Sequence, residues 1–351
     1  MMIDRRTMLG LSLLSPLCLG RAPATAQEID VLYERARPEG ALHLYTGGVA
    51  ANSAGTVKAF NARFPGITLT VTGDYSNVTD TKIDRQLTEK HVDADVASLQ
   101  TVQDFVRWNR MGAIQSFKPD GFETIGPEFK EAGGAFVATN VNPISYAYNP
   151  TLVAAADVPT SALDFLKPQF RGKVVTCYPA DDDATLFLFY TLSEKYGWSF
   201  VERYMATEPT FVQGHLGVLQ WIVAGRKALT FDCSTHTGTD MKKAGQPLEV
   251  VFSASDPTPI FYNIAGILRA APHPNAAKLY VNWVMSREQQ ISTGNWSARS
   301  DVPPPAGMKP LSGYTLASRY REFLMETKLV EDLRARFLAF TGPPLNKTVN
   351  A

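Results

Sequence analysis

Most of the short motifs that mark chemistry are missing from this chain. It has no HExxH, no GxSxG, no CxxC and no GxxxxGK[ST], so it carries no zinc-protease helix, nucleophile elbow or phosphate-binding loop. Charge of one sign is missing too: Lys plus Arg number 34 and Asp plus Glu 34. Removing the first 26 residues leaves a net charge of about −2. That balance excludes the strongly basic surface expected of a nucleic-acid or anionic-membrane binder. The five histidines, His43, His91, His215, His236 and His273, are scattered without metal-ligand spacing. Only three cysteines occur. Cys18 lies in an N-terminal apolar run, and Cys177 and Cys233 each end a predicted strand. The latter two could pair in an oxidising compartment. Two buried free thiols are the expectation, because strand neighbours seldom meet disulfide geometry. No segment beyond the N-terminus is apolar enough to cross a bilayer.

What is present is ordinary globular composition, 45% hydrophobic and 19% charged, over a length that suggests about two domains. The N-terminus reads as an export signal over residues 1–26. Arg5-Arg6 precede an apolar run at 8–20, and Ala24-Thr25-Ala26 offers a small-x-small cleavage site before Gln27. Asp4-Arg5-Arg6-Thr7-Met8-Leu9 resembles a twin-arginine motif; an ordinary Sec signal is the alternative. Leu17 before Cys18 argues against lipid attachment. The expectation is a periplasmic protein.

In chain order, residues 41–45 (ALHLY) read as a buried strand and Thr46-Gly47-Gly48 as a turn. A helix near Asn52 follows, with Val57, Phe60 and Phe64 on one face and Pro65-Gly66 at its end. Ile67, Leu69 and Val71 alternate as the next strand, which completes a βαβ unit. In open parallel sheets ligands bind at strand C-termini, where helix N-termini present free N–H groups. Gly73-Asp74-Tyr75-Ser76-Asn77 forms a second loop. Asn77 is a candidate cap, and Asp74 and Tyr75 either face a cleft or form a turn. A third strand over 95–99 places Gln100 and Thr101 at its mouth. A second α/β set begins near residue 173, with strands over 173–177, 210–212 and 228–231 and helices over 185–196 and 216–224. Pro179-Ala180-Asp181-Asp182-Asp183-Ala184-Thr185 ends the first of these strands and Phe231-Asp232-Cys233-Ser234-Thr235-His236 a later one. His215 and His236 each follow a predicted strand of this set and so could reach a cleft, though placement by strand end takes only His236 into the site. His43 reads as structural, and His91-Val92-Asp93-Ala94-Asp95 as a surface turn. Two amphipathic helices, from about residues 315 and 330, finish the chain.

Residues 265–290, AGILRAAPHPNAAKLYVNWVMSREQQ, read as a short buried strand (266–269), a corner set by Pro272 and Pro274, and a helix capped near Pro274 or Asn275. Ala276, Leu279, Tyr280, Trp283 and Val284 fall on one helical face. This stretch resembles a signature of extracellular solute-binding proteins of ABC importers, the cluster that includes ferric-iron, thiamine, polyamine and aminoethylphosphonate binders. Further matches are Tyr45, Phe60 and Pro65-Gly66-Ile67, the strand at 95–99, and residues 143–150 (PISYAYNP), which resemble the family hinge. Pro168 to Lys173 resemble the lead-in to its second lobe, and 297–305 a loop carrying Arg299.

The resemblance implies an α/β, two-lobed type II periplasmic-binding fold, each lobe a mixed, mainly parallel sheet flanked by helices. Lobe one would be residues 27–148 and 263–351, lobe two 149–262, with Tyr262-Asn263 the return crossing. Iron binders of this cluster carry adjacent tyrosines where this chain has Cys233, Ser234 and Thr235, which argues against phenolate-bound iron. Placement by strand end selects Thr46, Gly47, Gly48, Asp74, Tyr75, Gln100 and Thr101 from lobe one. From lobe two it selects Asp181, Asp182, Asp183, Asp232, Ser234, Thr235 and His236. Arg299 is the one cation expected to approach. No catalytic residue, cofactor or metal ligand is expected. The favoured ligand is an amine-bearing or zwitterionic solute, captured by hinge closure of a monomer and delivered to an inner-membrane permease, with no nucleic-acid partner. A metal carrier, a sensing subunit and an enzyme on the same fold are the alternatives.

Overall fold

The computed structural model describes residues 25–345, so all but the last two residues of the expected export signal lie outside it. Helix α1 (Thr25–Ala36) leads into β1 (Ala41–Gly47). Then come α2 (Ala54–Arg63), β2 (Thr68–Asp74), α3 (Ser76–Glu89), β3 (Val96–Leu99), α4 (Val102–Arg110), β4 (Ile114–Gln115) and β5 (Val137–Ala138). The chain crosses to β6 (Asn142–Tyr148) and builds a second unit. This comprises β7 (Val175–Cys177), α5 (Asp183–Tyr196), α6 (Trp198–Met205), β8 (Thr210–Val212), α7 (His215–Val223), β9 (Leu229–Ser234), α8 (Thr235–Lys243), β10 (Glu249–Val251) and β11 (Thr258–Phe261). It returns through β12 (Ile264–Leu268), α9 (Pro274–Val284) and α10 (Arg287–Ser292), and ends with β13 (Leu316–Ala317), α11 (Tyr320–Met325) and α12 (Thr327–Thr341).

The first sheet has the order β2-β1-β3-β12-β4, with β5 also on β12. β1 runs parallel to β2 and β3, and β12 antiparallel to β3, β4 and β5. In the second sheet β6 runs antiparallel to β9, β10 and β11. A parallel pair, β7 and β8, joins it through a bridge from Val174 to Leu229. Both sheets are therefore mixed. The strand that runs against its neighbours is β12 in the first sheet and β6 in the second, each entered directly from the other sheet.

The corner before α9 is held by charge as well as by proline. Fully buried Asp95 accepts the N–H of His43 at 2.7 Å and that of His273 at 2.6 Å, and faces His273 Nδ1 at 3.0 Å. Both histidines are thereby structural. His91 pairs with Asp93 at the surface. Pro274 takes the first helical position, after His273. The carboxylate of Glu39 then accepts from the Asn275 and Ala276 backbone at 3.0 and 2.8 Å, an anion at the helix's positive end. The apolar face of α9 is buried, with Trp283 edge-on to Phe60 of α2 at 5.4 Å.

Two boundaries differ from expectation. The hinge was expected at Tyr148-Asn149-Pro150, but all of β6 already pairs in the second sheet; the crossings are residues 139–141 and 262–263. Thr139 N–H donates to the Asn263 carbonyl at 2.8 Å and Asn263 N–H to Asn140 Oδ1 at 3.1 Å, which ties the two crossings together. Asn149-Pro150 is punctuation of another kind. The Asn149 Oδ1 accepts from Thr151 N–H and hydroxyl and its amide donates to the Ile222 carbonyl, so it ends β6. The second difference is the C-terminal segment, expected with the first sheet. Tyr320 of α11 packs between Phe187 and Tyr262, and Phe337 of α12 packs on Phe189 and Trp198 of the second unit.

Candidate functional site

Between the sheets lies a cleft of about 1110 Å³, slightly larger than the roughly 300–1,000 Å³ of most small-molecule sites. Its first wall is made at the ends of β1, β2 and β3 by Thr46, Gly47, Gly48, Tyr75, Ser76, Ser98 and Gln100. The crossings form the floor through Asn140, Asn142, Phe261 and Asn263. The facing wall comes from Tyr178, Asp182, the start of α7 at His215, and Ser234, His236 and Thr237 around the start of α8. Hydroxyls and amides dominate, and among the described lining residues there is no Lys or Arg.

The tight turn after β1 demands glycine. A Cβ on Gly47 would lie 2.2 Å from Ser76 Oγ, and Gly48 has φ 89° while its N–H donates to the Asp74 carbonyl at 2.6 Å. Asp74 and Tyr75 divide between the two roles open to them. Asp74 accepts the Tyr75 N–H at 2.8 Å and forms the turn, whereas Tyr75 lines the cleft. Burial, with Cys177, Asp181, Asp74 and Asp182 nearby, pushes the Tyr75 phenol up to about 12.

The three consecutive aspartates do not stand free. Asp182 caps α5, accepting the Thr185 N–H at 3.0 Å. Each also takes an amide from the first unit: Asn77 to Asp181 at 3.1 Å, Gln100 to Asp182 at 3.4 Å and Gln103 to Asp183 at 3.1 Å. Asn77 thus reaches across the cleft instead of capping α3. Asp183, expected at the ligand, is buried and paired with Arg334 of α12. Asp232 is also withdrawn. It is fully buried, accepts Cys177 N–H at 2.9 Å and Thr185 hydroxyl at 3.0 Å, and faces His215 Nε2 at 3.0 Å. Burial alone would raise its pKa; His215 and these donors hold it below the usual carboxylate range.

His215 is the residue that placement by strand end passed over for the site. Its ring stacks on Phe261, with planes 10° apart and centroids 5.5 Å apart, and Nδ1 lies 3.7 Å from Asp182. Burial opposes its charge, but Asp232 and Asp182 outweigh it and push the pKa up to about 9. Contrary to the scattered spacing of histidines and cysteines, the fold also brings Cys177, Asp182 and His215 together, with ligand atoms all within 4.8 Å of one another.

The remaining choices separate cleanly. Thr46, Gly47, Gly48, Tyr75, Gln100, Asp182, Ser234 and His236 line the cleft. Asp74, Thr101, Asp181, Asp183, Asp232 and Thr235 stand outside the lining. Thr101 is buried ahead of α4, and Thr235 is buried with its hydroxyl on the Pro143 carbonyl at 2.7 Å. Arg299 does not approach: it is buried in the first unit, bonded to Asp301 and to the carbonyls of Asp120 and Met285. Cys177 and Cys233 are both buried free thiols.

Two α/β units joined by paired crossings, with strand ends and helix N-termini facing one cleft, define a two-lobed periplasmic-binding fold. The model of the bacterial extracellular solute-binding protein family matches residues 55–315. The chain belongs to that family, whose members are solute-binding transport components and not enzymes. An Fe(3+)-binding periplasmic protein of Serratia marcescens is 22% identical over 173 residues, 47% of this chain and 51% of that one. A probable ABC transporter periplasmic-binding protein of Sinorhizobium fredii is 24% identical over 208 residues, 56% of each. The chain thus spans about half the length of the curated relatives it matches. Among solved structures, AfuA of Actinobacillus pleuropneumoniae with fructose-6-phosphate superposes at a TM-score of 0.74 with 16% identity, covering 86% of this chain and 98% of that one.

Proposed function

We propose that this chain is the periplasmic capture subunit of an ABC importer and that its cargo is a metal cation. One observation carries the choice of cargo: Asp182 and His215 of the cleft lining meet Cys177, buried directly behind them, with donor atoms within 4.8 Å of one another. The name of the Serratia marcescens relative, an Fe(3+)-binding protein, supports a metal. The charges weaken the amine reading, because Asp232 already faces His215 and Asp183 already holds Arg334. Capture then proceeds by closure. The cation enters the open cleft, and Asn77, Gln100 and Gln103 of one lobe meet Asp181, Asp182 and Asp183 of the other. Water or a small chelating anion fills the space an ion leaves. Delivery to a permease and export by the N-terminal signal complete the reading. Calorimetric titration of the chelator-stripped mature chain with ferric citrate and with divalent cations tests it; binding of none of them rejects the metal.

A second reading, an amine-bearing or zwitterionic organic solute, is favoured by the cleft's volume and by the absence of Lys and Arg among its described lining residues. A thermal-shift screen against amines, aminophosphonates and carboxylates tests it. A ligand at 100 times its Kd adds about 2.7 kcal/mol if it binds only the folded state.

A further inference from the structure

Resting on the metal reading, we infer that the site is built for a borderline divalent cation of the zinc class and not for ferric ion. The donors are a thiol sulfur, an imidazole nitrogen and one carboxylate. That set of three nitrogen, sulfur and oxygen donors, two of them on residues that line the cleft, matches a three-ligand zinc site, whereas ferric ion prefers oxygen donors. A second observation points the same way. Asp232 faces His215 Nε2 at 3.0 Å and accepts the Cys177 backbone N–H at 2.9 Å. With Nε2 donating to Asp232, Nδ1 is left as the ligand atom, 3.7 Å from Asp182. One buried carboxylate thereby positions two ligand residues, as outer partners do in histidine-bound metal sites. Thr185 hydroxyl, at 3.0 Å, fixes that carboxylate in turn.

The oxygen-rich alternative is poorly provided for at the end of β9. Cys233 is buried against Gly238, where an added Cβ would lie 2.7 Å from its sulfur, and Thr235 is spent on the Pro143 carbonyl. Only Ser234 of that trio lines the cleft. Bonds of about 2.0–2.3 Å bring tetrahedral donors to roughly 3.5 Å apart, so small rotations of Asp182 and His215 complete the geometry. As the metal binds, the Cys177 thiol and the His215 imidazolium each give one proton to solvent, the imidazolium losing it from Nδ1 and keeping Nε2–H on Asp232; no electron is transferred.

The experiment is a cobalt(II) titration of the chelator-stripped mature protein, read by absorbance, with zinc competition and a parallel ferric citrate arm. The expected result is a thiolate-to-cobalt band in the near ultraviolet together with tetrahedral bands in the visible, both removed by zinc. C177S should abolish the thiolate band and weaken zinc binding by more than about 100-fold. C233S, which leaves the donor set intact, should keep both. If C177S fails to fold, retention of the thiolate band in C233S assigns the sulfur, since Cys177 is then the one thiol left in residues 27–351. D232N should weaken zinc binding by about 10–100-fold and shift the visible bands, a spectral change that simple loss of stability would not produce. Zinc binding that gives no thiolate band and survives C177S overturns the inference. Ferric binding without cobalt or zinc binding also overturns it but leaves the metal reading standing. Binding of an organic solute and of no metal overturns both.

Discussion

At Asp256 one carboxylate holds together parts of the second lobe that are far apart in sequence. It is buried and pairs with Lys195 at 2.6 Å. It also accepts the Tyr146 hydroxyl and Ala162 N–H, each at 2.6 Å, and the Tyr196 hydroxyl. Burial would raise its pKa; these partners hold it below the usual carboxylate range. Its contribution to stability is therefore present above the unfolded value of about 3.9 and is lost as pH falls through the lower folded value. Asp256→Ala should cost about 3 kcal/mol at pH 7, because several buried donors lose their acceptor. Urea melts of parent and variant should converge as the pH approaches 3; a difference that persists unchanged would refute the linkage. Arg171 and Glu208 are also paired, but both are exposed. Glu208→Gln should leave the midpoint where it was.

Elements meet across the cleft at the start of α5, where three successive carboxylates each receive an amide from the other lobe. Capping needs only Asp182. Asp181 and Asp183 also take Asn77 and Gln103 from the other lobe, contacts that exist only when the lobes are together. Asn77→Ala combined with Gln100→Ala should leave the fold intact and enlarge the radius of gyration of the ligand-bound protein; an unchanged radius would mean that these amides do not hold closure. On the outer side, Arg334 joins α12 to Asp183. Arg334→Ala should cost about 1–2 kcal/mol, since the arginine is partly exposed while the aspartate it leaves is buried. A fall in urea midpoint accompanied by faster proteolysis after residue 314 is the expected signature. At the far end of the chain's return, α9 docks on α2 through aromatic contacts, and Trp283→Ala should cost about 3–5 kcal/mol.

For the whole molecule the issue is motion. Two crossings tied to each other by Thr139, Asn140 and Asn263 leave the lobes one hinge, and Tyr320 adds a contact that spans both, its hydroxyl donating to the Gln100 carbonyl at 3.3 Å. A saturating ligand should reduce the radius of gyration seen by small-angle scattering. Proven binding with no change in radius would count against closure about that hinge.

Much of this architecture is legible along the chain because its signals are local. The period of Ala276, Leu279, Tyr280 and Trp283, the glycines after β1 and the ordered match over 265–290 rest on neighbours in sequence. They led to the fold, the family and the first wall of the cleft. The crossing after β5 was not legible, since Asn149-Pro150 is the stronger punctuation and pairing partners decide where a strand belongs. Nor was the state of the aspartates. Whether a carboxylate faces a ligand, caps a helix or is spent on an ion pair depends on what stands opposite, and Arg334, Gln103 and His215 lie 151, 80 and 17 residues away from their partners. The order of apolar and turn residues determined the lobes, because burial and backbone geometry act residue by residue. Only the tertiary structure decided the charge and donor set of the cleft, because electrostatics acts through space.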